Sequence, residues 1–259
     1  MPATGHSLLV VLLAAGALWA DEPADAIRQA ATALGSGDAA AFVAAFDPST
    51  PGLPQIRSDA AELIRQADAQ SNIEFGADTG DSGAHSLELN WTLRMNSRDT
   101  TQGRILRQAR VLCRVTQHDN RWRIAAFEPR DFFRPPHVAG AWNVLESAAA
   151  ALSLGSAGEF LSYFDPSMPG YARLAAGAAT LVTRGEVQSS IELAENDGSD
   201  TSRAIEVDWT LSIVYEDTMI HRGAREQRVK CRVELQGKRW RITAVEPVEF
   251  FSAISTSPP

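Results

Sequence analysis

The sequence RWRIAAFEPRDFF at residues 121–133 recurs as RWRITAVEPVEFF at residues 239–251. The two stretches lie 118 positions apart, and the same offset gives 43 identities over the 106 positions from Arg28 to Phe133 without a gap. The chain of 259 residues, 44% of them apolar, therefore contains two copies of one unit, each long enough to bury a core. We expect a first domain at 21–136, a second domain at 137–254 and a disordered tail at 255–259.

An apolar run from Leu8 to Ala17 precedes the first copy, and the chain turns abruptly polar at Asp21. The run is too short to span a bilayer comfortably and is typical of a secretory signal peptide. No Lys or Arg precedes it, which is unusual for such a signal, and an uncleaved buried helix is the alternative. We expect a signal peptide at 1–20 that is cleaved after Ala20, no stable membrane span after cleavage, and a periplasmic or secreted location.

Charge and residue counts argue against several classes of protein. A formal net charge of −8 does not favour nucleic acid or anionic membranes as partners, because binding there depends on neutralising phosphates. Cys113 and Cys231 occupy the same position in the two copies, and we expect both to be free, buried thiols. None of the five histidines has a counterpart in the other copy, so we expect no metal site. The sequence has no glycine-rich phosphate loop, and we expect no cofactor.

Each copy begins with a helical half. Apolar residues at helical spacing predict a first helix, a short second helix and an amphipathic third helix. The motif Asp-Pro-Ser-x-Pro-Gly separates the second helix from the third, since two prolines and a glycine cannot continue a helix. In the first copy, the first helix is predicted at Ala24–Leu34, the second ends at Phe46, and the third is at Leu53–Ala69. In the second copy, the first helix is predicted at Ala141–Leu152, the second ends at Phe164, and the third is at Tyr171–Arg184.

Each copy ends in a series of strands. Apolar and polar residues alternate along Leu87–Met95 and Ile205–Ile213, as expected for strands with one face on a core. A shorter strand precedes each of them, at Ser71–Phe75 and Ser189–Leu193, and two more follow. In the last strand of the first copy, Trp122, Ile124 and Ala126 are expected to face inward. Helices followed by an antiparallel meander indicate an α+β fold in which a curved sheet wraps the helices.

The helical first half with Gly-Asp-Ala at 37–39, together with the late strands ending in Arg-Trp-Arg-Ile-x-x-x-Glu-Pro, resembles the nuclear transport factor 2-like superfamily, which includes SnoaL-like proteins. The resemblance covers nearly all of each copy. It implies two tandem cone-shaped domains, each with a pocket between helices and sheet, that pack through their sheets as an intramolecular pseudo-dimer. Many members have a short strand pair between the second and third helices, where this chain has the proline elbow.

The inward positions define the expected pocket. Its candidate ligand-contacting residues are Trp91, Arg107, Trp122, Trp209, Arg225 and Trp240. Because nearly all inward side chains are apolar, a packed interior is the alternative to an open pocket.

Four carboxylates are candidates for catalysis. Asp47 and Asp165 lie where isomerase-like relatives keep a general base, and the alternative is that each caps its elbow. Counting by two along the last strand places Glu128 and Glu246 inward, near Arg107 and Arg225. The alternative for these glutamates is a bulge near the proline that turns the side chain outward.

The sequence therefore supports two functions. We expect a non-catalytic binding or interaction protein of the cell envelope or secreted fraction, whose partner is a small apolar ligand or another protein. The alternative is a small-molecule isomerase or dehydratase that uses an acidic residue, Asp165 or Glu246, in an apolar pocket.

Overall fold

The same order of helices and strands occurs twice along the chain. The computed structural model describes residues 22–215 and 222–252, so the expected signal peptide at 1–20 and tail at 255–259 lie outside the described residues. The first copy contains α1 (Pro23–Ser36), α2 (Ala39–Ala44), α3 (Leu53–Gln66), β1 (Ala67–Asp81), β2 (Ala84–Ser97), a 3₁₀ helix (Thr100–Gln102), β3 (Arg104–His118) and β4 (Arg121–Glu128). The second contains α4 (Ala139–Ser153), α5 (Ala157–Ser162), α6 (Tyr171–Arg184), β5 (Gly185–Gly198), β6 (Ser202–Tyr215), β7 (Arg222–Gln236), β8 (Arg239–Glu246) and a 3₁₀ helix (Val248–Phe251).

The strands of each copy form an antiparallel meander. β2 lies between β1 and β3, and β4 pairs with the second half of β3. β5 to β8 repeat this order. The fold is therefore α+β, with three helices preceding each meander, as the sequence predicts.

A proline elbow connects the second and third helices of each copy. Gly52 and Gly170 end the elbows with φ angles of +80° and +81°, a conformation that glycine adopts at little cost. The elbow also attaches to the last strand, since the Asp47 N–H donates to the Ile124 carbonyl at 2.9 Å.

The first strand of each copy is longer than its pattern predicts. β1 occupies Ala67–Asp81 where Ser71–Phe75 is expected, and α3 ends at Gln66, before its predicted end at Ala69. Beyond Phe75, β1 is exposed on both faces. An exposed strand does not need alternating side chains, so the sequence carries no period-two signal there.

Aromatic side chains fill the interior of each copy. The Trp91 ring is 0% exposed, and the centroids of Phe127, Phe132 and Phe133 lie 5.9, 5.6 and 5.5 Å from it. Trp209 is also 0% exposed and lies 4.9 Å from Phe251, edge to face. Such tilted and edge-to-face contacts are favourable ring geometries.

β4 contains one residue more than the stretch of β3 that it faces. Ile124 and Ala126 pair with neighbouring residues of β3, so Ala125 has no partner of its own. The extra residue reverses the alternation that follows it. Phe127 is consequently buried, and Glu128 is exposed.

β8 carries the same irregularity, between Ile242 and Ala244. Val245 is buried beyond it, and Glu246 is exposed. The inward positions that counting by two gives Glu128, Glu246 and Ala126 are therefore wrong. The other interpretation of the glutamates, a bulge that turns their side chains outward, is confirmed.

The two copies meet at the start of β3. Arg104 and Ile105 pair in parallel with the end of β5 at Asp197 and Gly198, so that all eight strands belong to one sheet. A Cβ atom at Gly103 would lie 1.8 Å from the Asn196 carbonyl oxygen, so this close approach requires glycine. The resemblance implies that the copies pack through their sheets, and the contact found here is between strand edges.

Charged side chains surround this junction. Arg107 donates through Nε and Nη2 to the two carboxylate oxygens of Asp200, at 2.7 and 2.9 Å. The two side chains are 14% and 30% exposed. Arg104, which is more exposed, binds Asp197 and Glu195.

Arg203 lies at the centre of the junction and is 0% exposed. Its guanidinium donates to the Asn196 side-chain oxygen at 2.9 Å and to the Gln102 carbonyl of the first copy at 2.6 Å. Burial lowers the pKa of Arg203 to about 10, because the charged form loses hydration. Within the described residues, the Arg203 Nη1 atom is buried without a hydrogen-bond partner.

No helix in the described parts of the chain is long and apolar enough to cross a membrane.

Candidate functional site

Asp47 and Asp165 stabilise the two elbows. Asp165 Oδ1 accepts hydrogen bonds from the Ser167 N–H and hydroxyl at 2.8 and 2.7 Å, and Oδ2 accepts one from Gln236 at 2.5 Å. These donors, Gln236 first, lower the pKa of Asp165 to about 2. Asp47 accepts the same two bonds from Ser49, and its pKa is also lowered. The geometry matches the elbow cap that the sequence offered as the alternative to a general base.

Glu128 and Glu246 are on the outer surface, so neither forms the expected pair with an inward arginine. Arg107 binds Asp200 of the second copy, and its Nη1 donates to the Phe132 and Arg134 carbonyls, each at 2.6 Å. Arg225 Nη1 donates to the Phe250 carbonyl at 2.6 Å. Both arginines therefore fasten the segment that follows the last strand onto the sheet.

The four tryptophans of the expected pocket differ in exposure. Trp91 and Trp209 are 0% exposed and belong to the aromatic clusters that fill the interiors. Trp122 is 8% exposed, and its ring lies edge-on to His85 at 5.3 Å. Trp240 is partly exposed and lines a surface cleft.

The outer face of the sheet carries ion pairs between adjacent strands. Glu88 of β2 binds Arg110 of β3 at 2.5 Å, and Asp208 of β6 binds Arg228 of β7 at 2.6 Å. These pairs are the cross-strand contacts expected of a solvated face.

Cys113 and Cys231 are free and buried, as expected from the sequence. Burial raises the pKa of each thiol to about 12. Thiols in such surroundings are poor nucleophiles, because the reactive thiolate is disfavoured.

A polar cleft of about 490 Å³ lies at the turn between β3 and β4. We call it the His118 cleft, and its lining residues are Asp47, Pro48, His118, Asp119, Arg121 and Arg123. The His118 ring nitrogen lies 3.5 Å from Asp47 Oδ2. Two carboxylates and two guanidinium groups balance one another there.

A second cleft, of about 460 Å³, lies between α4, the end of α5 and the start of β8. We call it the Trp240 cleft, and its lining residues are Gly140, Asn143, Val144, Ser147, Ser162, Tyr163, Arg239, Trp240 and Arg241. Arg241 is held in place because its Nη1 donates to the Ser162 carbonyl at 2.7 Å. Within the described residues, the side chain of Arg239 makes no hydrogen bond or ion pair.

Sequence reasoning places Trp240 in a pocket inside the domain and misses most of the residues that surround it in the cleft. Asn143 and Ser147 are polar and are not among the buried residues of α4, and Tyr163 follows α5. One signal was available. Tyr163 stands where the first copy has Ala45, so the second copy has a large aromatic side chain at a position where the first copy has none.

Across residues 22–215 and 222–252, no three His, Cys, Asp or Glu side chains come together in a way that could hold a metal ion.

No protein-family model and no curated protein sequence matches the chain. Solved structures that resemble it include an NTF2-like superfamily protein from Salmonella enterica, with 17% identity and a TM-score of 0.34, which covers 40% of this chain and 83% of its own. A cystatin-like fold protein from Caulobacter vibrioides has 15% identity and a TM-score of 0.34, with 40% and 82% covered. Another from Nostoc punctiforme has 13% identity and a TM-score of 0.33, with 40% and 83% covered.

Proposed function

We propose that the chain is a non-catalytic binding or interaction protein made of two tandem NTF2-like, SnoaL-like domains, at 21–136 and 137–254. The observation that carries this proposal is the filled interior of each copy. Trp91 and Trp209 are 0% exposed and lie against phenylalanine rings, so aromatic side chains occupy the interior of each copy. A protein whose interior is filled acts through its surface.

The state of the candidate carboxylates supports the same proposal. A general base that works near neutral pH needs a pKa near the operating pH. Hydrogen bonds hold the pKa values of Asp47 and Asp165 below their ordinary value, in the opposite direction. Glu128 and Glu246 are exposed, away from any apolar interior. The isomerase or dehydratase alternative therefore has little support from these four residues.

The compartment is a proposal that rests on the leader alone. A signal peptide at 1–20 that is removed after Ala20 would place the mature protein in the periplasm or outside the cell. Its partner there is a small ligand or another protein, and the negative charge of the chain does not favour nucleic acid.

Toluene, a small neutral apolar molecule, tests whether the interior is closed. We expect no change in the melting temperature of the wild-type protein when toluene is added, because aromatic rings of the described residues fill the interior of each copy. Phe160→Ala is the matched control. Removing this buried ring opens a cavity and costs about 3–5 kcal/mol, and toluene should restore part of that loss.

If toluene stabilises the wild-type protein as strongly as Phe160→Ala, the interior is open and the enzyme alternative gains support. Leu211→Ala serves as a milder control variant if Phe160→Ala does not fold. The wild-type measurement decides the question by itself.

A further inference from the structure

We propose that the Trp240 cleft binds a small aromatic carboxylate. This inference rests on the proposed binding function and names the class of ligand. The volume of about 460 Å³ falls within the range of about 300–1,000 Å³ that is usual for small-molecule sites.

Two aromatic side chains supply the apolar part of the cleft. Trp240 and Tyr163 both line it and are both partly exposed. The Trp240 indole lies against the α4 backbone, since a Cβ atom at Gly140 would come within 2.6 Å of the indole ring. A partly exposed ring that is held in this way offers a planar surface on which an aromatic ligand can stack, and Tyr163 adds a second ring to the lining.

Trp240 remains open because its surroundings differ from those of Trp122. In the first copy, His85 lies edge-on against the Trp122 ring. The residue equivalent to His85 in the second copy is Arg203, and its guanidinium is committed to Asn196 and Gln102 at the junction. No ring covers Trp240 within the described residues.

Two guanidinium groups select a negative charge. Arg239 and Arg241 line the cleft, and none of its lining residues is acidic. Arg241 is oriented by the Ser162 carbonyl, while Arg239 has no partner in the described parts of the chain. An arginine without a carboxylate partner pairs readily with a ligand carboxylate, and the planar fork of its N–H groups fits the two oxygens.

The edge of the cleft adds hydrogen-bonding groups. The side chains of Asn143 and Ser147 line it and make no hydrogen bond within the described residues. The Tyr163 hydroxyl lies 3.5 Å from Glu159 Oε1, at the limit of a hydrogen bond. These groups suit polar substituents on the ring of the ligand.

The first copy lacks this combination and serves as an internal comparison. Ala45 stands in place of Tyr163, and Asp25 in place of Asn143. Arg121 and Arg123 line the His118 cleft together with Asp47 and Asp119, so carboxylates accompany the arginines there. We therefore assign the site to the second copy alone.

Fluorine NMR of the full chain with 4-fluorobenzoate tests the proposal. We expect saturable binding of 4-fluorobenzoate and at least tenfold weaker binding of 4-fluorobenzamide, which has the same shape without the charge. Arg239→Gln should weaken benzoate binding about tenfold, because it removes the charged donor. Arg121→Gln, the same change in the first copy, should leave the affinity unchanged. Tyr163→Ala, which introduces the residue of the first copy, should weaken binding about fivefold.

Three results would overturn the proposal: no saturable binding of 4-fluorobenzoate at millimolar concentrations, equal affinity for 4-fluorobenzamide, or equal weakening by Arg239→Gln and Arg121→Gln. Both arginines belong to exposed strand ends, so the variants should fold, and their melting temperatures verify this. The toluene experiment is independent of this one, because toluene carries no charge and addresses the domain interior. Failure of the cleft proposal therefore leaves the broader function standing.

Discussion

Asp165 and Asp47 occupy the same place in the two copies but have different third partners. Both accept hydrogen bonds from the serine two residues later. Gln236 donates a further hydrogen bond to Asp165, while His118, its equivalent in the first copy, lies near Asp47. One aspartate thus receives a third hydrogen bond from a side-chain amide, and the other has an imidazole nitrogen 3.5 Å from its carboxylate.

The contribution of Asp165 to stability should depend on pH. Its folded pKa of about 2 lies below the ordinary value of 3.8, so its contribution is fully present above the ordinary value and is lost as the pH falls through the folded one. Asp165→Asn should therefore lower stability by a constant amount near neutral pH, and the difference from wild type should shrink below pH 4. Denaturant melts of both proteins over this pH range measure it.

Ser167→Ala is the control for that experiment. It removes the hydroxyl that donates to Asp165 at 2.7 Å, so the folded pKa should move toward its ordinary value and the loss should begin at a higher pH. A difference between wild type and Asp165→Asn that persists unchanged below the folded pKa would show that the hydrogen-bonded carboxylate is not its source.

The position of Glu128 shows where reading single residues from a sequence fails. Its neighbours alternate correctly up to Ile124, and the error begins at the unpaired Ala125. Alanine fits both a regular strand and a bulge, so the sequence allows a bulge near the proline but does not show which residue is the extra one. Which face a residue occupies beyond a bulge depends on pairing with the neighbouring strand, and this pairing is a property of the fold.

At the level of elements, the helices and the central strands follow from the sequence, and α6 has the predicted bounds Tyr171–Arg184. The ends of β1 and β5 do not. Buried elements are recognised from their apolar periodicity, whereas the outer half of β1 is exposed on both faces. The sequence predicts the strands that contain the four candidate tryptophans. Whether each tryptophan fills the core or lines a cleft depends on distances between elements, which the sequence does not show.

The elbow before α6 requires a glycine at position 170. Gly170 has a φ angle of +81°, and a Cβ atom there would lie 3.1 Å from Val248. Gly170→Ala should therefore destabilise the protein by about 1–2 kcal/mol, as measured by denaturant unfolding.

Gly158 provides the opposite case in the same copy. It lies inside α5, and an added Cβ atom meets nothing within 4 Å. Gly158→Ala should therefore stabilise the protein by about 0.4–1 kcal/mol. If Gly170→Ala and Gly158→Ala change the free energy of unfolding in the same direction, backbone conformation does not determine how these two glycines affect stability.

At the scale of the whole molecule, the junction couples the two copies. Its best-protected ion pair, Arg107 with Asp200, is mostly buried and bidentate. This pair could not be predicted from the sequence, because Asp200 lies in a loop and its equivalent in the first copy is Ser82.

A double-mutant cycle on Arg107→Ala and Asp200→Ala should give a coupling energy of about 1–2 kcal/mol, since the pair is partly shielded from water. The cycle cancels the loss of the hydrogen bonds from Arg107 to the Phe132 and Arg134 carbonyls. The matched control is the exposed pair Arg110 and Glu88 on the outer face, which should show no measurable coupling in moderate salt. Equal coupling in the two pairs would mean that the junction has no special role in holding the copies together.

The way in which the copies meet has a consequence for assembly. A two-fold arrangement would use the same surface patch of both copies. Here, β3 of the first copy meets β5 of the second, so the two patches differ. β1, the equivalent of β5 in the first copy, remains at the end of the sheet. Such heterologous contacts propagate into filaments when the exposed patch can receive another molecule. The hairpin formed by β1 and β2 of the first copy is poorly suited to receive another molecule. It has Ala77, Thr79 and Ser82 where the second copy has Glu195, Asp197 and Asp200. Its two remaining aspartates are already engaged, Asp78 with His85 and Asp81 with its own turn. We therefore expect the divergence of this hairpin to disfavour the addition of a third unit through the same strand-edge contact.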